Sequence, residues 1–180
     1  MKLLICSDIH GDLDSAKAVI DAYHRYGADK ILCLGDILYH GPRNDLPSTY
    51  APKAVIALLN QYKDSILAVR GNCDTEVDQM VLEFPILADY ALLSVDGRTV
   101  YATHGHKFNL DTLPPLKKGD ILLHGHTHLL TATKFGDENV YLNPGSVALP
   151  KGGNPRSYMI YEDGKFTCVD LEGNTIFTYQ

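Results

Sequence analysis

The chain has 180 residues, 45% of them hydrophobic, with 16 Lys and Arg against 22 Asp and Glu and a formal net charge of −6. That content suits a single domain over residues 1–180, burying roughly two-thirds of its unfolded surface, and excludes a disordered chain. An acidic balance with no Lys/Arg-dense stretch argues against a nucleic-acid polymer or an anionic membrane as partner, since both need a basic face.

Taken in chain order, Lys2–Cys6 reads as a short buried strand followed by a polar loop through Asp12. Leu13, Ala16, Val19, Ile20, Tyr23 and Tyr26 then recur at helical spacing, and Gly27 supplies the stop. Ile31–Leu34 is a second buried strand ending at Gly35-Asp36. A turn-rich loop leads to Pro52, which suits the first turn of a helix through about Tyr62. Ile66–Val69 is a third strand, ending at Arg70-Gly71-Asn72. This β-α-β-α-β order predicts a parallel sheet with crossover helices. Beyond it, Ala91–Val95 and Thr99–Thr103 flank Asp96-Gly97, a strong hairpin signal. Ile121–Leu123 is another short buried strand. Leu130–Lys134 with Val140–Leu142, and Tyr158–Tyr161 with Phe166–Val169, predict further hairpins. The expected architecture is two sheets packed face to face, with helices over the outer faces.

The N-terminal apolar run is too short for a secretory signal, and no stretch approaches the roughly 18 apolar residues of a membrane span. Cys6, Cys33, Cys73 and Cys168 are scattered without a CxxC pair, as expected of reduced thiols in a cytoplasmic protein. Composition leaves the histidines unexplained: five of the eight fall between His104 and His128.

Ligand-type residues cluster just after predicted strands. Asp8 and His10 follow the first, Asp36 the second, Asn72 the third, His104 the strand Thr99–Thr103, and His126 and His128 the strand Ile121–Leu123. Loops at the carboxyl ends of parallel strands share one sheet edge, so these residues are expected to converge. Carboxylate, amide oxygen and imidazole together suit a divalent ion such as Mn²⁺, Fe²⁺ or Zn²⁺. Seven ligands exceed what one catalytic ion with an open position takes. They match two ions of four ligands each that share one carboxylate, Asp36, an arrangement used in phosphoryl transfer. Singly each residue has an ordinary reading as a cap, a turn or a buried histidine; jointly they do not.

Asp8-x-His10, Gly35-Asp36, Gly71-Asn72, His104 and Gly125-His126-x-His128, in this order, resemble the calcineurin-like metallophosphoesterases, closest to the small YfcE-like bacterial phosphodiesterases. Gly35–Asn44, Arg70–Asp74, Thr103–His106 and Asn143–Val147 extend the likeness. The resemblance implies an α/β fold, a four-layer α/β/β/α sandwich of two packed mixed sheets. It also implies two divalent ions, typically Mn²⁺ with Fe or Zn as alternatives. One would take Asp8, His10, Asp36 and His128, and the other Asp36, Asn72, His104 and His126. The expected activity is a phosphodiesterase that hydrolyses small phosphodiesters through a metal-bridging hydroxide, with a small phosphoester as partner and room for a homo-oligomer.

One departure from the family pattern concerns Cys73, which stands where many relatives carry a histidine serving as candidate general acid. A neutral thiol is a poor proton donor beside imidazolium, so good leaving groups are expected to be favoured. Arg43 is a candidate phosphate contact; His40 and His106 are expected to support the site by hydrogen bonds, while His24 is expected on the surface. Asn143-Pro144-Gly145-Ser146 reads as a turn supporting the site. A scaffold role has a precedent in a retromer subunit of this fold, but the complete ligand set argues against it. Dispersal of the ligands along the chain argues against a histidine-rich metal buffer.

Overall fold

The computed structural model describes residues 1–180, and in it β1 (Leu3–Cys6), β2 (Lys30–Cys33) and β3 (Ile66–Ala68) lie parallel and adjacent in that order. Helices α1 (Leu13–Tyr26) and α2 (Pro52–Leu59) are the crossovers. Helix α1 begins where the Asp12 carboxylate accepts from the Ser15 N–H, and it ends at Gly27 with φ of 58°, a left-handed cap that glycine adopts without strain. After Leu59 the chain tightens into a 3-10 segment over Asn60–Ser65, so the α-helix is shorter than its apolar pattern predicts. A four-residue α3 (Glu76–Gln79) follows, closed by reciprocal bonds between Thr75 and Asp78.

The second half builds β4 (Tyr90–Val95), β5 (Arg98–Thr103), β6 (Ile121–His124), β7 (Thr131–Phe135) and β8 (Asn139–Asn143). They form a sheet in the order β4-β5-β6-β8-β7. Then β9 (Ser157–Glu162), β10 (Lys165–Asp170) and β11 (Thr175–Tyr179) return to the first sheet, giving β11-β10-β9-β1-β2-β3. All three hairpins expected from the sequence are present. At Asp96 and Gly97, φ is 49° and 77°, the pair of positive values that a type I′ turn requires. β6 pairs parallel to both β5 and β8, so the second sheet is mixed, as the resemblance implies. β11, which extends the β9–β10 hairpin, had no counterpart in the sequence reading.

Alternation along β1 sorts the core. Leu4 and Cys6 join a cluster of 22 buried residues under α1 and α2, whereas Leu3 and Ile5 join one of 16 between the sheets. The outer face of the second sheet is covered by irregular chain rather than helix. There the Phe108 ring packs 5.7 Å from the buried Tyr101 ring, and Gly105 lies against His124. Pro114 and Pro115 break helical hydrogen bonding in this segment, and the Asn109 side chain caps its own turn by accepting from Asp111 and Thr112 N–H. No helix is long and apolar enough to cross a membrane.

Candidate metal centre

The carboxyl ends of β1, β2, β3, β5 and β6 meet at one edge of the sandwich and bring together all seven candidate ligands. Their loops are zipped to each other: Asp8 N–H donates to Gly35 O (3.0 Å) and His10 N–H to Asp36 O (2.9 Å). Asp8, His10, Asp36, His126 and His128 all have φ between 49° and 63°. This left-handed geometry costs a non-glycine residue on the order of 1 kcal/mol and persists where surrounding structure imposes it. Close approach explains two glycines of the motifs. A Cβ on Gly71 would sit 2.1 Å from Asp36 Oδ1, and one on Gly125 would sit 1.9 Å from Ser7 Oγ.

Proton accounting at this edge shows what the residues lack. His10 Nδ1 donates to Tyr39 O (2.7 Å), His104 Nδ1 to Leu34 O (2.7 Å) and His128 Nδ1 to Leu149 O (2.5 Å). In a neutral ring this leaves each Nε2 a bare lone pair. Yet His10 Nε2 lies 3.3 Å from His128 Nε2, and His104 Nε2 lies 3.0 Å from Asn72 Oδ1 and 3.2 Å from His126 Nδ1. The carboxylates join the same knot. Asp8 spends Oδ2 on Ser7 Oγ–H and His126 N–H, and Asp36 spends Oδ1 on Cys73 N–H. Buried Asp8 Oδ1 has no hydrogen-bond partner and lies 3.2 Å from His128 Nε2; Asp36 Oδ2 lies 3.5 Å from His104 Nε2 and 3.7 Å from His10 Nε2. Acceptors facing acceptors in a buried site need cations between them, supplied as protons or as metal ions. The donor set therefore fits divalent metal.

Electrostatics point the same way. Burial opposes charge on His104, but the Asp36 and Asp8 carboxylates raise it to about 9, and the same carboxylates raise His10 against its own burial. In return, and against its burial, Asp8 is held well below the carboxylate range by His10 and His128. His126 behaves oppositely: burial and the neighbouring His104 charge push it down to about 4, leaving a free lone pair at neutral pH.

Asp74, to which the sequence reading gave no role, is the main support. Its carboxylate accepts from the N–H of Asp36 (2.8 Å), Ile37 (2.9 Å) and Gly71 (2.7 Å), tying the second ligand loop to the third. A carboxylate two residues after Asn72 was its only sequence signal. Ser146 Oγ–H donates to Asp8 O (2.9 Å), and Asn143 Nδ2 donates to Gly125 O (3.0 Å), so the Asn143–Ser146 turn braces the site. Cys73 is buried beside Asp36, with Asn72 Nδ2 3.2 Å from its Sγ. Arg43 is exposed at the cleft mouth together with Lys151, which the sequence reading missed. His40 and His106 do not hydrogen-bond a candidate ligand; each Nδ1 is buried without a partner. His24 is exposed and meets the Tyr62 hydroxyl (3.0 Å), and His124 stacks on Tyr141 away from the cluster.

A sequence model of the calcineurin-like phosphoesterase superfamily domain matches residues 1–164. Over 176 residues the chain is 45% identical to the phosphodiesterase YfcE of Escherichia coli strain K12, covering 98% of this chain and 95% of that protein. It is 26% identical over 167 residues to a probable metallophosphoesterase, YsnB, of Bacillus subtilis, covering 89% and 83%. Among solved structures, that of YfcE, described as a phosphoesterase from E. coli, superposes with a TM-score of 0.96 at 43% identity, over 99% of this chain and 98% of that one. Vacuolar Protein Sorting 29 from Cryptosporidium parvum shares the fold, with a TM-score of 0.64 at 17% identity over 99% and 97% of the two chains.

Proposed function

The chain belongs to the calcineurin-like phosphoesterase superfamily, and from that premise we propose that it is a metal-dependent phosphodiesterase acting on small phosphodiesters with good leaving groups. One observation carries the reading: seven candidate ligands, five of them buried, set their lone-pair atoms 3.0–3.7 Å from one another, an arrangement that needs cations between them. Asp8, His10, Asp36 and His128 would hold one divalent ion and Asp36, Asn72, His104 and His126 a second, with Mn²⁺ the proposed occupant and Fe or Zn the alternatives. Bound there, the ions supply Lewis acidity and lower the pKa of water enough for hydrolysis near neutral pH.

The protein's own groups do the rest. Nδ1–H bonds to the carbonyls of Tyr39, Leu34 and Leu149 lock three rings in the tautomer that presents Nε2. Asp74 fixes the backbone at Asp36 and Gly71. Arg43 and Lys151 add positive charge at the mouth, where an anionic ester arrives. Cys73 keeps its proton: burial pushes the thiol up, and the Asp36 charge beside it pushes it further. It therefore gives a departing alkoxide little help, which favours phenols and other leaving groups that depart unaided. The test is a leaving-group series of aryl phosphodiesters with Mn²⁺-loaded protein. Cys73→His should raise rates on the poorest leaving groups about tenfold or more and flatten the series. An unchanged slope would contradict the role given to Cys73.

A further inference from the structure

The cleft lined by the candidate ligands His10, Asp36, Asn72, His126 and His128 is small, about 30 Å³, and only one of its eleven lining residues is hydrophobic. A second depression, of about 400 Å³, lies beside it and has the opposite character: seven of its eleven lining residues are hydrophobic. Cys73 forms part of the wall of both, so they are neighbours separated by one side chain. Tyr39 also connects the two, since it lines the groove while its carbonyl accepts from His10 Nδ1. The groove is thus built in register with the candidate metal ligands.

Its lining is left uncovered by the rest of the chain. Val77 is 69% exposed, Val81 43% and Tyr39 42%. Lys53 and Asp78 are its charged residues, and the Asp78 carboxylate is already occupied by the Thr75 N–H and hydroxyl. Such a surface selects an apolar ligand rather than an ionic one.

We propose that this groove, walled by Tyr39, Tyr50, Ile56, Val77 and Val81, receives the apolar part of one ester group while the phosphate lies over the adjoining metal cleft. The substrate class is accordingly phosphodiesters bearing an aryl or alkyl group of several carbons. The inference rests on the phosphodiesterase reading and adds what sets its specificity.

The test uses symmetric bis(4-alkylphenyl) phosphates with hydrogen, methyl, ethyl and propyl substituents. Their phenol acidity hardly changes while apolar surface grows, and symmetry lets either ester occupy the groove. With Mn²⁺-loaded protein, kcat/KM should rise with chain length, by up to about fourfold for each methylene that enters the groove. Val77→Asp and Val81→Asp are exposed changes that leave the metal ligands untouched. Each should flatten that rise while retaining bound Mn²⁺ by elemental analysis, whereas Leu113→Asp, elsewhere on the surface, should not. Turnover of all four esters at rates independent of chain length in the unmutated protein overturns the groove assignment and leaves the phosphodiesterase reading intact. No turnover of any ester overturns both. A flat series in which Val77→Asp instead converts a dimer to monomers in sedimentation assigns the groove to a second copy of the chain and overturns the proposal.

Discussion

The two halves of the candidate metal centre differ in how the fold holds them. Asp8, His10 and His128 are all buried, and each is tied to backbone by a second atom. On the other side His104 is equally enclosed, but Asn72 is exposed and His126 half-buried, with no backbone acceptor on its ring. Asp36 stands between them, fixed through Oδ1 with Oδ2 free. On the proposed two-ion reading the difference separates two tasks: the enclosed half would retain an ion, and the open half would meet solvent and substrate. Retention needs second bonds on every ligand, and access needs at least one ligand without them.

The most severe way to break this contrast is to remove the shared group. Asp36→Asn should cost about 10²- to 10³-fold in turnover and abolish two-ion binding, because both halves lose a charged ligand. Next in size, His128→Ala should empty the enclosed half, whereas Asn72→Ala should remove only the weaker binding phase in Mn²⁺ calorimetry. Equal losses from the two changes would erase the contrast. Asp74→Ala acts one step further out. Stranding three buried N–H donors should lower stability by about 3 kcal/mol in denaturant unfolding and weaken metal binding about 10- to 100-fold. The mildest probe is pH. Without metal, the raised pKa values of His10 and His104 stabilise the fold fully below the unfolded value near 6.5, and the His104 contribution is lost as pH rises through about 9. Chelated protein should therefore melt at lower temperature as pH rises across that window. Mn²⁺-loaded protein should not, and the apparent metal affinity should rise over the same range as protons cease to compete.

Much of this was legible in the sequence, for local reasons. Leu13 to Tyr26 folds as the apolar spacing and Gly27 predict, and Asp96-Gly97 makes its turn because both residues tolerate positive φ. The convergence of seven candidate ligands followed from their places after successive strands. What the sequence concealed depends on distant contacts. No local pattern says that β6 will lie parallel between β5 and β8, or that irregular chain will cover the second sheet. The left-handed backbone at five candidate ligand positions is imposed by neighbouring loops, and Asp74 gains its importance only once Asp36 and Gly71 are brought to it. The apolar groove is likewise assembled from α2, α3 and the loop after β2, segments that share no sequence signature.

The most direct measurement is Mn²⁺ titration of chelated protein, followed by calorimetry and by hydrolysis of bis(p-nitrophenyl) phosphate in the same samples, with Asp36→Asn alongside. Two ions per chain, with turnover appearing as the second binds and lost in Asp36→Asn, is the predicted result. Full turnover in Asp36→Asn, or activity complete with a single ion, would contradict a centre built from seven ligands around one shared carboxylate.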